Sequence, residues 1–405
     1  MRARELAALS LLSLASLLAA AWAVELALPL LARDAREESL RAKEARGERV
    51  DRREKREVLA ALRAEGRDAV AALVPVHLLA PAANGELRSQ MAIGAREVLP
   101  FAGPAYVTTV LCNELGTWAS YESDRHGFRN DSARWSAQPE LALVGDSFTI
   151  GRCVADEHTI AAQLGRRHTV LNLGMGGTGP LIQLGILAEY ASLLEPRGVI
   201  WVHFENDLGP ADLGTERRSP LLMRYLEPGF TQGLAALQSD LDAETRVLLE
   251  QQEKHAGIPA RPAGLAQRLT AVLTLRGLRE RARALGPGAG ASAEPDADAL
   301  ALYARVIERG RALVESWGGE LIVAHLPRDE RVAPGAPPDR QARAVVEIAR
   351  RAGVAALDLG DALRAEPDPV ALYAYPGGTA SGPAHLNERG YEVVAEALHG
   401  FLVSH

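Results

Sequence analysis

Short apolar runs alternate with amphipathic stretches through the latter two-thirds of the chain. Residues 141–144, 169–174, 198–204, 320–326 and 354–359 each read as a strand bounded by turn residues. Helical patterns lie between them, among them 180–194, with Pro180 near its first turn. The runs are apolar at consecutive rather than alternate positions. A parallel strand covered on both faces requires that pattern, so an α/β fold with a parallel sheet between helical layers is predicted. Ligands of such sheets bind beyond the carboxyl ends of the strands. Gly145-Asp146-Ser147, Gly174-Met175-Gly176-Gly177 and Glu205-Asn206-Asp207 all fall at that edge.

The first third of the chain has another character. Residues 6–32 are almost wholly apolar after Arg2 and Arg4, which predicts a transmembrane signal anchor over 1–32. A signal peptide ending at Ala21-Trp22-Ala23 is the alternative. A hydrophobic start before a large soluble domain favours export, to the periplasmic face of a bacterial inner membrane, although arginines follow the span. Residues 33–70 are charged and rich in helix formers and read as a solvated helical stalk. Residues 71–138 hold short strand-like runs broken by Pro and Gly, a small β-rich lead-in. The main domain spans 139–405, with a helical insertion at 209–298 that reads as a cap or an interaction surface.

Composition adds exclusions. The 405 residues are 47% hydrophobic and 24% charged, an ordinary globular balance. A net charge of −7 gives no basic footprint for nucleic acid. The two cysteines, Cys112 and Cys153, have no zinc-site spacing, so no metal is expected. Ser147, at the end of a strand, is a candidate nucleophile, which needs a base to accept its proton. His385, before a helical pattern at 393–398, is the candidate base. Each residue also has a plainer reading: a helix-capping Ser147, a tight turn at Gly177, an Asx turn at Asn206 and a surface histidine at His385.

Taken in order, Ser147, Gly177, Asn206 and the block His385-Leu386-Asn387-Glu388-Arg389-Gly390 resemble the SGNH (GDSL-like) hydrolase superfamily. The resemblance covers residues 139–208 and 317–402. It implies a flavodoxin-like three-layer α/β/α sandwich that needs no cofactor or metal. Ser147 would attack an ester carbonyl, with His385 as general base. The backbone N–H groups of Ser147 and Gly177 and the Asn206 amide would form the oxyanion hole. The implied function is an extracytoplasmic serine esterase or deacylase. Alternatives are an O-acyltransferase acting on cell-surface polysaccharide and a non-catalytic glycan-binding or scaffold protein. The expected partners are an acylated polysaccharide or lipid ester and, through the anchor, the membrane.

The chain departs from that pattern at two places. Gly382 stands where the family usually has Asp, leaving His385 to be oriented by a backbone carbonyl or by a distant acid such as Asp361 or Asp368. Phe204 stands where the family often has glycine. Two cysteines in an exported protein also suggest one disulfide, Cys112–Cys153, tying the lead-in to the nucleophile's helix. Two buried free thiols are the alternative.

Overall fold

The computed structural model describes residues 12–13, 16–25, 35–256, 270, 272–275, 278–279, 296–375 and 384–405. The chain divides into two compact units. One comprises residues 1–34 and 254–293, the other residues 35–253 and 294–405. In the smaller unit, residues 16–25 are helical. Among the described residues no helix is long and apolar enough to cross a membrane, which corrects the expected transmembrane anchor over 1–32 and the membrane-anchored localisation built on it. Glu25, within that helix, is buried, and its carboxylate accepts from the Leu278 N–H at 2.7 Å.

The larger unit begins with helices α1 (Ala35–Ala45) and α2 (Lys55–Ala64). Leu40 of α1 and Val58 and Leu59 of α2 are buried. Lys43 donates to the Leu115 carbonyl at 2.7 Å, so the charged heads of α1 serve as anchors while its apolar stripe packs. The lead-in that follows is a three-stranded sheet of β1 (Ala69–Ala71), β2 (Thr108–Cys112) and β3 (Ala119–Glu122). In it β1 pairs parallel and β3 antiparallel with β2. Two small antiparallel pairs, Leu79–Pro81 with Leu87–Ser89 and Met91–Ile93 with Arg96–Val98, lie between β1 and β2.

The five apolar runs form β4 (Leu141–Gly145), β5 (Val170–Asn172), β6 (Gly198–Phe204), β7 (Glu320–Leu326) and β8 (Ala355–Asp358). All are parallel, in the order β8-β7-β6-β4-β5. Read along the chain this is the doubly wound order 2-1-3-4-5, whose switch point lies between its first and third strands, here β4 and β6. Strand parity divides the core. Ala142, Val144, Val199, Trp201, Leu321 and Val323 pack with α4 (Pro180–Glu189), α7 (Ala297–Glu315) and α8 (Arg340–Arg351). Their neighbours Leu141, Leu143, Ile200, Val202, Ile322 and Ala324 pack with α3 (Ile160–Leu164) and α9 (Glu388–Ser404) on the other face. Three layers result, and every residue of β6 is buried.

The expected insertion at 209–298 is not one body. Up to residue 253 it belongs to the larger unit. There α5 (Leu213–Glu216) and the first part of α6 (Gln238–Ala256) place Leu213, Leu241 and Leu249 in the same core as α4 and α7. The Tyr225 hydroxyl donates to Glu189 of α4 at 2.6 Å. Residues 254–293 belong to the smaller unit.

Candidate active site

β4 ends at Gly145, whose φ is +156°; a Cβ there would stand 2.2 Å from Thr149 Oγ1 and 2.5 Å from the Val202 carbonyl oxygen. Glycine therefore lets the chain turn off the sheet hard against β6. The Asp146 carboxylate accepts the Phe148 N–H at 2.9 Å and fixes that turn, with Ser147 at its apex. No regular helix follows. Residues 147–153 run as successive turns, and the buried Arg129 of the lead-in donates to the Gly151 carbonyl at 2.6 Å and the Val154 carbonyl at 2.9 Å. The expected strand–turn–helix is therefore a strapped loop, because Arg129 takes the carbonyls that a helix would have used.

Ser147 Oγ lies 2.8 Å from His385 Nε2. Both residues are largely buried, 8% and 7% exposed, so water screens this contact little. His385 precedes α9, whose Asn387 caps the helix by accepting the Gly390 N–H at 3.1 Å. The His385 carbonyl accepts the Ala374 N–H at 2.9 Å, and Leu386 forms a β-bridge with Tyr373, so backbone holds the imidazole from behind. Phe204, where glycine was expected, stacks on Phe148 at 4.1 Å between ring centroids. Phe148 lies in turn 4.6 Å from the His385 ring. The phenylalanine thus extends an aromatic wall behind the base.

The acid that orients His385 is Glu114. Its Oε1 lies 2.8 Å and its Oε2 3.0 Å from His385 Nδ1, and Oε2 also accepts the His385 backbone N–H at 3.1 Å. Burial pushes this carboxyl up, but the charge and hydrogen bonds of His385 and the charge of Arg152 outweigh it. The group sits below the usual glutamate range. An ionised carboxylate only accepts, so Nδ1 carries the proton and Nε2 is left to accept from Ser147 Oγ–H. Glu114 follows β2 in the lead-in, outside all four sequence blocks. Asp361 instead pairs with Arg364 at 2.7 Å, and Asp368 accepts the Ala371 N–H at 3.3 Å. The Gly382 position lies outside the described residues, and residues 376–383 contain no acid. One sequence signal pointed toward Glu114: Cys112, two residues before it, forms a disulfide with Cys153 in the loop after Ser147.

The remaining candidates border the same strand ends. Gly177 has φ +69°, and a Cβ there would lie 2.5 Å from Val74 Cγ1, so a side chain would push the glycine loop off the lead-in. At its neighbour Gly176 a Cβ would stand 3.8 Å from Ser147 Cβ, which sets this loop beside the nucleophile. Asn206 follows β6, and its Nδ2 donates one hydrogen to Asp212 Oδ2 at 2.7 Å. The second amide hydrogen is not used by that contact. Behind it, burial pushes the carboxyl of Asp212 up to about 6 despite the charge of Arg328 and the Asn206 bond. Burial, and then the charge of Asp212, raise Asp146 to about 7; burial, and then the charges of Asp146 and Asp212, raise Asp207 well above the ordinary range.

Among solved structures the chain is similar to a protein of the G-D-S-L lipolytic family from Desulfitobacterium hafniense DCB-2. The two are 16% identical over 64% of this chain and 96% of that one, with a TM-score of 0.28. It is also similar to a protein from Lactobacillus plantarum, 15% identical over 66% of this chain and 98% of that one, with a TM-score of 0.30. No family model and no curated protein matches it. The likeness to the SGNH (GDSL-like) hydrolases rests on the four ordered blocks, the strand order and the Ser147–His385 contact.

Proposed function

We propose that the chain is a serine ester hydrolase that works through a Ser147–His385–Glu114 triad. The observation that carries this reading is the unbroken relay, 2.8 Å from Ser147 Oγ to His385 Nε2 and 2.8 Å from Nδ1 to Glu114. Ser147 Oγ attacks the ester carbonyl as its proton passes to Nε2. The tetrahedral oxyanion is held by backbone N–H groups of Ser147 and Gly177 and by the Asn206 amide. One such donor is worth about 3 kcal/mol in the transition state. The ester C–O bond breaks, and His385 returns the proton to the leaving alcohol. Water then attacks the acyl-serine, gives its proton to His385, and the acid leaves as Ser147 regains its hydrogen. Glu114 keeps the imidazole in the reactive tautomer and stabilises its cationic form without taking the proton. Its contact favours this catalytic reading over a non-catalytic one, for which an unoriented His385 was the support.

Hydrolysis of a chromogenic acetyl ester and labelling of Ser147 by a fluorophosphonate test it. The wild type is expected to do both, and Ser147→Ala to lower kcat by on the order of 10⁴–10⁶ and to abolish labelling. A wild type that neither hydrolyses nor labels overturns the reading.

A further inference from the structure

One short segment, residues 206–216, reaches both of the loops that would supply the oxyanion donors beyond Ser147. It leaves β6 at Asn206 and folds back at once. The Gly209 N–H donates to the Asn206 carbonyl at 2.7 Å, and the Leu213 N–H to the Asp207 carbonyl at 3.1 Å. A Cβ at Gly209 would stand 2.8 Å from the Asn206 carbonyl oxygen, so this return leaves no room for a side chain. The return puts Asp212 on Asn206, with Oδ2 accepting from Nδ2 at 2.7 Å. Glu216 follows one helical turn later, its N–H donating to the Asp212 carbonyl at 2.9 Å. Glu216 Oε1 accepts the Gly179 N–H at 2.6 Å and Oε2 the Leu181 N–H at 2.9 Å, where the chain from Gly177 enters α4. A Cβ at Gly179 would stand 2.9 Å from Glu216 Oε2 and 3.0 Å from the Leu213 nitrogen, so the glycine loop lies directly on α5.

Both carboxyls are buried. After burial itself, the charge of Asp212 adds to the upward push on Asp146, Asp207 and Glu216. A buried carboxyl among others is destabilising unless its own bonds offset the cost. Among the described residues, the hydrogen bond that the Asp212 carboxyl makes is the one to Asn206. That bond orients the amide. With its carboxyl raised to about 6, Asp212 is ionised at pH 8 and only accepts, so it takes the NH2 edge of Asn206 and disfavours the flipped amide. Asn206 Oδ1 is buried and has no hydrogen-bond partner among the described residues, so among them the orientation rests on Asp212. Glu216 does for the other loop what Asp212 does for Asn206, by holding backbone N–H groups at the start of α4 that have no partner within the helix.

We propose that Asp212 and Glu216 are positioning residues of the oxyanion hole, Asp212 orienting the Asn206 amide and Glu216 seating the loop of Gly177. This rests on the esterase reading above and adds the element, α5, that builds the anion-stabilising side of its site.

Hydrolysis of phenyl acetate at pH 8 tests the proposal. Asn206→Ala is expected to lower kcat by about 10²–10³. Asp212→Ala lowers it by about 10–10², with KM within about twofold of wild type. Asp212→Asn, whose carbonyl oxygen can still accept from Asn206, recovers part of the loss. In the Asn206→Ala background, Asp212→Ala changes kcat by less than about threefold, because the group it orients is gone. Glu216→Gln lowers kcat by about tenfold in both backgrounds, since it acts on the other donor. Losses from Asp212→Ala and Asn206→Ala that multiply overturn the role of Asp212, as does a loss confined to KM or to the melting temperature. A Glu216→Gln kcat within about twofold of wild type overturns the role of Glu216. A wild type that hydrolyses no ester overturns the esterase reading and this proposal together, whereas an active wild type whose losses multiply overturns the proposal and leaves that reading standing.

Discussion

Glu114 changes what Ser147 and His385 can do. A serine–histidine pair without an orienting acid leaves the imidazole free to adopt the wrong tautomer, and loss of a triad acid can cost about 10⁴ in kcat. With Nδ1 held at 2.8 Å, the base is committed. Glu114→Gln is therefore expected to lower kcat by about 10²–10⁴ with KM little changed, and Glu114→Asp to recover part of the loss. A steady-state comparison across pH checks this, because a merely structural role would alter stability without separating kcat from KM. Ser147 and His385 were legible in the sequence because each sits in a short block whose local context, a strand end or a capped helix start, is itself written there. Glu114 was not. Nothing around Asn113-Glu114-Leu115 marks it as a partner for His385, which only the fold brings to it from 271 positions away.

At the level of elements, the lead-in helps to build the candidate active site. The β2–β3 connection supplies Glu114, Arg129 straps the loop after Ser147, and the Cys112–Cys153 disulfide joins β2 to that loop across 41 residues of chain. Replacing both cysteines with serine is expected to lower stability by about 2–4 kcal/mol. It should also lower kcat more than it raises KM, since the link removed lies two residues from Glu114. Thermal melting and ester kinetics, with and without reductant, check both effects. Wild type in reductant should behave like the double variant. An unchanged kcat would mean that β2 holds Glu114 without the bond. Alternation of strands and helices predicted the parallel sheet because burial on both faces is a property of each strand's own sequence. The packing of α1 was not legible for the complementary reason. Charge-rich helices such as α1 hide a narrow apolar stripe, and only the packing partner reveals that Leu40 is covered.

Across the whole molecule, the ends of β4 and β6 gather carboxyls that burial holds protonated. Asp146 and Asp212 are raised to about 7 and about 6, and Asp207 further, against roughly 3.9 in an unfolded chain. The folded state then binds more protons than the unfolded state between those values. The stability these groups contribute is complete below about pH 4 and is lost as pH rises through 6 to 7. The melting temperature is expected to fall by on the order of 5 °C between pH 5 and pH 8, and Asp207→Asn to shrink that fall. Scanning calorimetry at the two pH values is the check, and a melting temperature that rises over this interval would contradict it. The sequence by itself determined the five buried strands, the edge where their loops converge, and three of the four blocks' positions along that edge, because periodicity and turn residues act over a few neighbours. It also singled out His385 through its own block. Tertiary structure alone decided which acid serves His385 and how the post-serine loop is held, because each depends on segments that approach only after the chain has folded.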